Sequence, residues 1–165
     1  MGEHHYQVEV CWTGATTDYR GYSRNHEVNS AGLQPIPASA DVIGRGDPSR
    51  WNPEQLLVAS LAQCHMLLYL HLCADAGIVV VDYRDAAVGV MSETKFTKVT
   101  LCPRVVITAE NRIDDAQALH AEAHRQCFIA NSVNFPVAHE PITSAKKGGS
   151  AVAVREPNRV AEKRR

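Results

Sequence analysis

The segment that most constrains this chain is Asn52-Pro53-Glu54-Gln55, which runs straight into Leu56-Leu57 and an almost unbroken apolar stretch. Asn is a strong helix cap, proline suits the first helical turn, and a glutamate there meets the positive end of the helix. The helix is predicted to run to about Ala76, with Gly77 as its left-handed stop. Apolar side chains cover most of its circumference, so it must lie at the centre of the fold with cover on several sides. Cys64 and His65 sit near its middle. The uninterrupted part, Leu56 to Leu70, is 15 residues and holds Gln63, Cys64 and His65, short of the roughly 20 apolar residues that cross a bilayer. A core helix and no membrane are therefore expected.

The flanks supply strands. Residues 6–13 alternate Tyr6, Val8, Val10 and Trp12 with polar neighbours, the period of a strand with one buried face. A second strand is expected at 23–28, and an edge strand or extended coil at Pro35-Ile36-Pro37, where proline cannot donate to a ladder. The segment 39–53 reads as loop. Beyond the helix come strands at 78–83, 86–91 and 98–109, the last broken at Pro103, then a helix from Asp114-Asp115 to about Cys127. A loop over 128–136 and a final strand over 137–142 complete an α+β pattern. The length fits one domain, assigned to 1–144. The remainder, 145–165, is basic and poor in large apolar groups, and reads as a flexible tail.

A formal charge of −1 gives no overall pull toward nucleic acid. The start, Met1-Gly2-Glu3-His4-His5, has no apolar leader, so the cytoplasm is the expected compartment. Five cysteines (Cys11, Cys64, Cys73, Cys102, Cys127) are an odd number without a C-x-x-C pair, which argues against a secreted disulfide framework or a zinc knuckle. Cys11, Cys73 and Cys102 read as apolar filler.

Cys64 and Cys127, 63 positions apart, sit in more telling phrases. The first joins the Asn-Pro-Glu-Gln-Leu helix entry to Cys64-His65-Met66, with ten residues from Glu54 to the thiol. The second is Cys127-Phe128-Ile129-Ala130-Asn131-Ser132-Val133-Asn134-Phe135-Pro136. Together, over about residues 6–142, they resemble the OsmC/Ohr family of osmotically inducible and organic hydroperoxide resistance proteins, on its OsmC-like branch. The resemblance implies an intertwined homodimer, with long central helices packed on antiparallel sheets, and a thiol peroxidase without cofactor or metal. It implies Cys64 as the peroxidatic thiol, Cys127 as the resolving thiol, and an external dithiol or lipoyl-type reductant. It also implies an arginine that activates the thiol, steadied by a carboxylate. Glu54 matches the carboxylate; Arg24 is the favoured arginine, for its place at the start of a strand, with Arg20 as the alternative. Two thiols suit the chemistry, because a sulfenic acid condensed into a disulfide escapes over-oxidation.

Ten helical residues span about 15 Å, so Glu54 and Cys64 of one straight helix cannot share a guanidinium. Either the helix breaks early or Glu54 serves a partner chain; the second is expected. Two loop arginines, Arg45 and Arg50, are further candidates for the activating cation. His65 points about 100° away from Cys64 and reads as packing at least as readily as a base. His120, His124 and Cys127 share a helix face at zinc-like spacing, but the glutamate between the histidines is in the wrong place for a zinc-protease helix, and a polar stripe is the expected reading. Trp51, Tyr22, Met66, Phe128 and Phe135-Pro136 are candidate apolar walls for an organic peroxide. The competing function is a non-catalytic protein of the same fold, binding a small ligand or sensing redox state.

Overall fold

In a computed structural model, the structure describes residues 2–146. Strands β1 (Glu9–Cys11), β2 (His26–Asn29) and β3 (Ile36–Ala38) form an antiparallel sheet in that order. Pro37 is accepted because β3 is an edge. This sheet and the segment leading into it are poorly covered within the chain: Val10 of β1 is 63% exposed, and before it Tyr6 is 92% and Val8 66% exposed. A tight loop follows. Asp41 caps a 3-10 turn at Val42–Gly44 by accepting from the Ile43 N–H at 2.9 Å. Gly46 is required there, since a side chain would collide with the Ala40 carbonyl.

Helix α1 (Pro53–Asp75) starts as its sequence dictates. Asn52 Oδ1 accepts from the Gln55 N–H at 2.7 Å, and the Gln55 side chain accepts from the Asn52 N–H at 3.2 Å. Gly77 ends it with φ of 67°. The helix has 23 residues without a break, longer than the apolar stretch alone because polar turns continue it at both ends. By length and composition it is thus long enough to cross a membrane. Within the chain it is buried along one stripe, Leu61, His65, Tyr69 and Cys73, rather than covered on several sides as its apolar circumference led one to expect, and Leu67 is left exposed.

Strands β4 (Val80–Asp85), β5 (Val88–Ser92), β6 (Lys95–Leu101) and β7 (Pro103–Ile107) follow, then α2 (Ile113–Gln126), β8 (Val137–His139) and β9 (Ile142–Ala145). They make two sheets, β4-β7-β9 and β5-β6-β8. The break at Pro103 is as expected. Cys102 between β6 and β7 donates its N–H to Asp85 Oδ1 at 2.7 Å. The single final strand expected over 137–142 is instead two strands. The chain leaves the ladder at Glu140-Pro141, and β8 pairs with β6 while β9 pairs with β7. Both pairings are parallel, so the sheets are mixed rather than purely antiparallel. Long connections permit this, whereas a hairpin could not.

Two cores result. The first half of α1 packs Leu61 against Val99 and Leu101, with Phe96, Phe135 and Val137 around them. The second half packs Tyr69 and Cys73 against Val105, Ile107 and, from α2, Ala116 and Ala123. Of the expected basic tail, 147–165 lies outside the described residues.

Candidate functional site

The two thiols singled out in the sequence meet. Cys64 is half-buried in the middle of α1, and Cys127, only 1% exposed, caps the end of α2. Both are free thiols. Burial pushes the Cys127 thiol up to about 11, and the adjacent Cys64 side chain pushes the same way. The N–H of Ala130 donates to Cys127 Sγ at 3.4 Å and offsets part of this. Such a thiol is protonated at neutral pH. The Cys127 N–H and C=O are tied to His124 and Asn131, so its backbone is fixed at the helix end. Of the thiols expected to be filler, Cys73 is buried and Cys102 half-buried, but Cys11 lies exposed on β1, in the uncovered sheet.

The arginine and carboxylate do not join the thiols within one chain. Arg24 donates to the Tyr22 and Tyr19 carbonyls at 2.5 Å each, and its guanidinium lies over the Tyr22 ring, 3.8 Å from the centroid. Tyr22, one of the expected apolar walls, lies under Arg24 and packs edge-on to Trp12. Arg20 is exposed beside Asp18. Arg50 pairs with Asp47 at 3.6 Å, and Arg45 ends the 3-10 turn in the left-handed region. Glu54 stands in the first turn of α1 with Oε2 buried and unpartnered. Because α1 is continuous, the early break that would let Glu54 approach Cys64 of its own helix does not occur.

Glu54 belongs to a different feature. A cleft of about 1140 Å³ opens between the first half of α1, the 41–44 turn and strands β4–β6. Trp51, Met66, Met91 and Phe96 give it apolar walls; Cys64 does not line it. Asp41, Glu54, Asp85 and Glu93 line it, without a lysine, arginine or histidine. Three of its polar atoms are buried and unpartnered: Glu54 Oε2, Asp85 Oδ2 and the Tyr83 hydroxyl. Burial pushes the Asp85 carboxyl and the Tyr83 phenol up. Of the other expected walls, Phe128 is 75% exposed, while Phe135 packs in the core 5.4 Å from Phe96.

The sequence reading did not anticipate a histidine cluster beside the thiols. His65 from α1 and His120 from α2 are fully buried, with His65 Nε2 and His120 Nδ1 at 3.0 Å. His139 of β8 is 5.7 Å from His65 and 4.7 Å from His124, ring centre to ring centre. Burial and neighbouring histidines lower His65 to about 4 and His120 to about 3. Among the described residues no three His, Cys, Asp or Glu side chains converge to hold a metal ion. The available signal was His65 falling on the same stripe as Leu61 and Tyr69, a buried position that demands a polar partner.

The sequence model of OsmC-like proteins matches residues 46–141. This chain belongs to the OsmC-like family. An OsmC-like protein of unknown function from Vibrio cholerae is 34% identical, with a TM-score of 0.76 over 86% of this chain and all of that one. The organic hydroperoxide resistance protein OsmC of Legionella pneumophila shares the fold at 23% identity and a TM-score of 0.59, over 86% of this chain and 99% of its own. Among curated proteins, the uncharacterized YmaD of Bacillus subtilis is 24% identical over 90% of this chain and 99% of its own length. The α+β OsmC fold is therefore shown.

Proposed function

We propose that this OsmC-like protein is a thiol-dependent hydroperoxide reductase, working through Cys64 and Cys127. The observation that carries this reading is the contact of a half-buried thiol with a buried, protonated one, brought together from two helices. Exposure divides the roles: peroxide reaches Cys64 first, and Cys127 acts second. The Cys64 thiolate attacks the O–O bond, forming Cys64–S–OH and an alkoxide that takes a proton and leaves as alcohol. Cys127 then attacks the sulfenic sulfur; its proton and the departing hydroxide form water, and a disulfide remains. An external dithiol, of lipoyl type or similar, returns both thiols by exchange, giving up two electrons. No cofactor or metal enters this scheme.

Cys64 must be a thiolate to attack. In this reading a second copy of the chain completes the site: Arg24, or Arg20 in its place, activates the thiol while Glu54 orients the guanidinium across a homodimer interface. The unpartnered Glu54 Oε2 and the uncovered face of the N-terminal sheet support this. The proposed setting is the cytoplasm, with neither nucleic acid nor membrane as partner.

A second reading, a protein that binds a ligand without turnover, draws on the 1140 Å³ cleft, whose apolar walls and four carboxylates suit a cationic amphiphile. Peroxide consumption separates the two. Turnover of cumene hydroperoxide with a dithiol, abolished by Cys64→Ser, is the expected result. Consumption no faster than that of Cys64→Ser, with organic and hydrogen peroxide alike, would overturn the peroxidase reading.

A further inference from the structure

His65 and His120 face each other across the α1–α2 contact with their ring planes 5° apart and their centres separated by 5.3 Å. This is not a face-to-face stack, which in the neighbouring Tyr69–His120 pair brings the centres to 3.8 Å. Parallel planes, wide centres and the 3.0 Å Nε2···Nδ1 contact describe an in-line N–H···N bond between neutral imidazoles. The other nitrogens, His65 Nδ1 and His120 Nε2, are buried and unpartnered, so this bond is the polar connection between the two rings. Its position is what matters. His65 directly follows Cys64, and His120 lies seven residues, about two turns, before Cys127.

We infer that the His65–His120 bond is a positioning device for the thiol pair, holding α1 against α2 so that Cys64 and Cys127 can close a disulfide. The inference rests on the redox reading of those thiols. The bond needs one donor and one acceptor. When both imidazoles are protonated, both facing nitrogens are donors and the contact fails. The titratable groups around it are Tyr69 on α1, with Cys73 and Tyr83 behind it, His124 on α2, His139 on β8 and the two thiols. For His65, His120 and His139 the influences are burial and the charge of other histidines, with no carboxylate to welcome a proton. The device is therefore set for the neutral pair, and acid opposes it.

The test is thiol–disulfide equilibrium with glutathione. The Cys64 thiolate attacks glutathione disulfide and releases one glutathione thiolate; the Cys127 thiolate displaces the second. Two protein thiols are oxidised and one glutathione disulfide is reduced. Mapping of alkylated peptides separates this bond from the other three cysteines. His65→Leu and His120→Leu keep roughly the volume but lose the bond. His65→Gln and His120→Asn place an amide where Nε2 and Nδ1 stood and do not titrate. At neutral pH the leucine variants are expected to lower the equilibrium constant about three- to tenfold, the range of one lost hydrogen bond. Tenfold corresponds to about 30 mV for this two-electron couple. The amide variants should recover most of the loss. The ratio of wild type to the amide double variant should stay level from pH 6.5 to about 5 and fall only as pH drops below about 4 toward 3, where the pair takes up its second proton, thiolate loss being common to both.

Wild-type protein that forms no Cys64–Cys127 disulfide would overturn the redox reading and this inference with it. A disulfide that closes equally well in folded leucine variants would overturn the inference alone. If the leucine variants do not fold, a wild-type-to-amide ratio that stays constant down to about pH 3 would overturn it instead.

Discussion

The two flanks of α1 are built from the same helix and end in opposite states. On one flank, Cys64 meets Cys127 and His65 meets His120, all against elements of the same chain. On the other, Glu54 faces a cleft with Asp41, Asp85 and Glu93, and three of its polar atoms reach nothing. Unpartnered buried atoms occur on both flanks, His65 Nδ1 and His120 Nε2 among them, but the cleft sets its own among four carboxylates with no basic residue in its lining, a complement that the proposed second copy would supply. One chain by itself brings the thiol pair and its core together, while the carboxylate cleft is where the proposed partner copy would act.

Acid should break the closed flank first and hardest. His65 and His120 bind protons in the unfolded chain below the ordinary value of 6.5, but in the folded chain only below about 4 and about 3. Between those values the unfolded state holds more protons. Stability is therefore full above pH 6.5, falls as pH drops below it, and the loss is complete once both folded values are passed. Each histidine contributes a slope of up to about 1.4 kcal/mol per pH unit. Urea unfolding at pH 7.5, 6, 5 and 4.5 should show this fall, and the His65→Gln/His120→Asn double variant should flatten it. A wild-type curve as flat as the variant's would count against the buried pair.

The next effect comes from packing. Leu61 is fully buried between Val99 and Leu101, and Leu61→Ala should cost about 2–5 kcal/mol. Leu67, on the same helix but 60% exposed, should lose no more than about 0.5 kcal/mol on truncation to alanine in the isolated chain. Equal losses would mean that the exposed side of α1 is already covered in solution. Smaller again is the helix entry. Asn52→Ala removes the cap on Gln55 and the 3.3 Å bond to Asp41, and should cost about 1 kcal/mol by urea or thermal unfolding.

These elements also divide by how far a sequence can speak. The limits of α1 were legible because Asn52, Pro53, Gln55 and Gly77 act locally, through caps and a left-handed stop. Cys64 and Cys127 were legible through family phrases, not through periodicity. The split of the last strand was not, because Glu140-Pro141 breaks a ladder whose partners, β6 and β7, are distant in sequence. The histidine cluster was missed for the same reason. His120 and His124 do form a stripe on α2, but that the stripe faces His65 and His139 is decided by how α1, α2 and β8 pack. The cleft gathers its carboxylates from four separate segments, each of which alone reads as ordinary surface charge.

The open flank gives the smallest expected change in stability and the most decisive assay. Glu54→Gln removes a charge whose Oε2 has no partner, so the isolated chain should change by no more than about 0.5 kcal/mol. Turnover is a different matter. If Glu54 orients an arginine, loss of that charged hydrogen bond should slow peroxide reduction about ten- to a hundredfold. Cys64→Ser is expected to be inactive for a separate reason, the loss of the attacking thiol. In a mixed dimer of the two variants, the chain that keeps Cys64 faces a neighbour that keeps Glu54. One complete site then forms if Glu54 serves the partner's thiol, and mixing two poor preparations restores part of the activity. If Glu54 serves its own chain, every site lacks either the thiol or the carboxylate, and mixing restores nothing. The roughly 15 Å that ten residues of a continuous α1 set between Glu54 and Cys64 favour the first outcome.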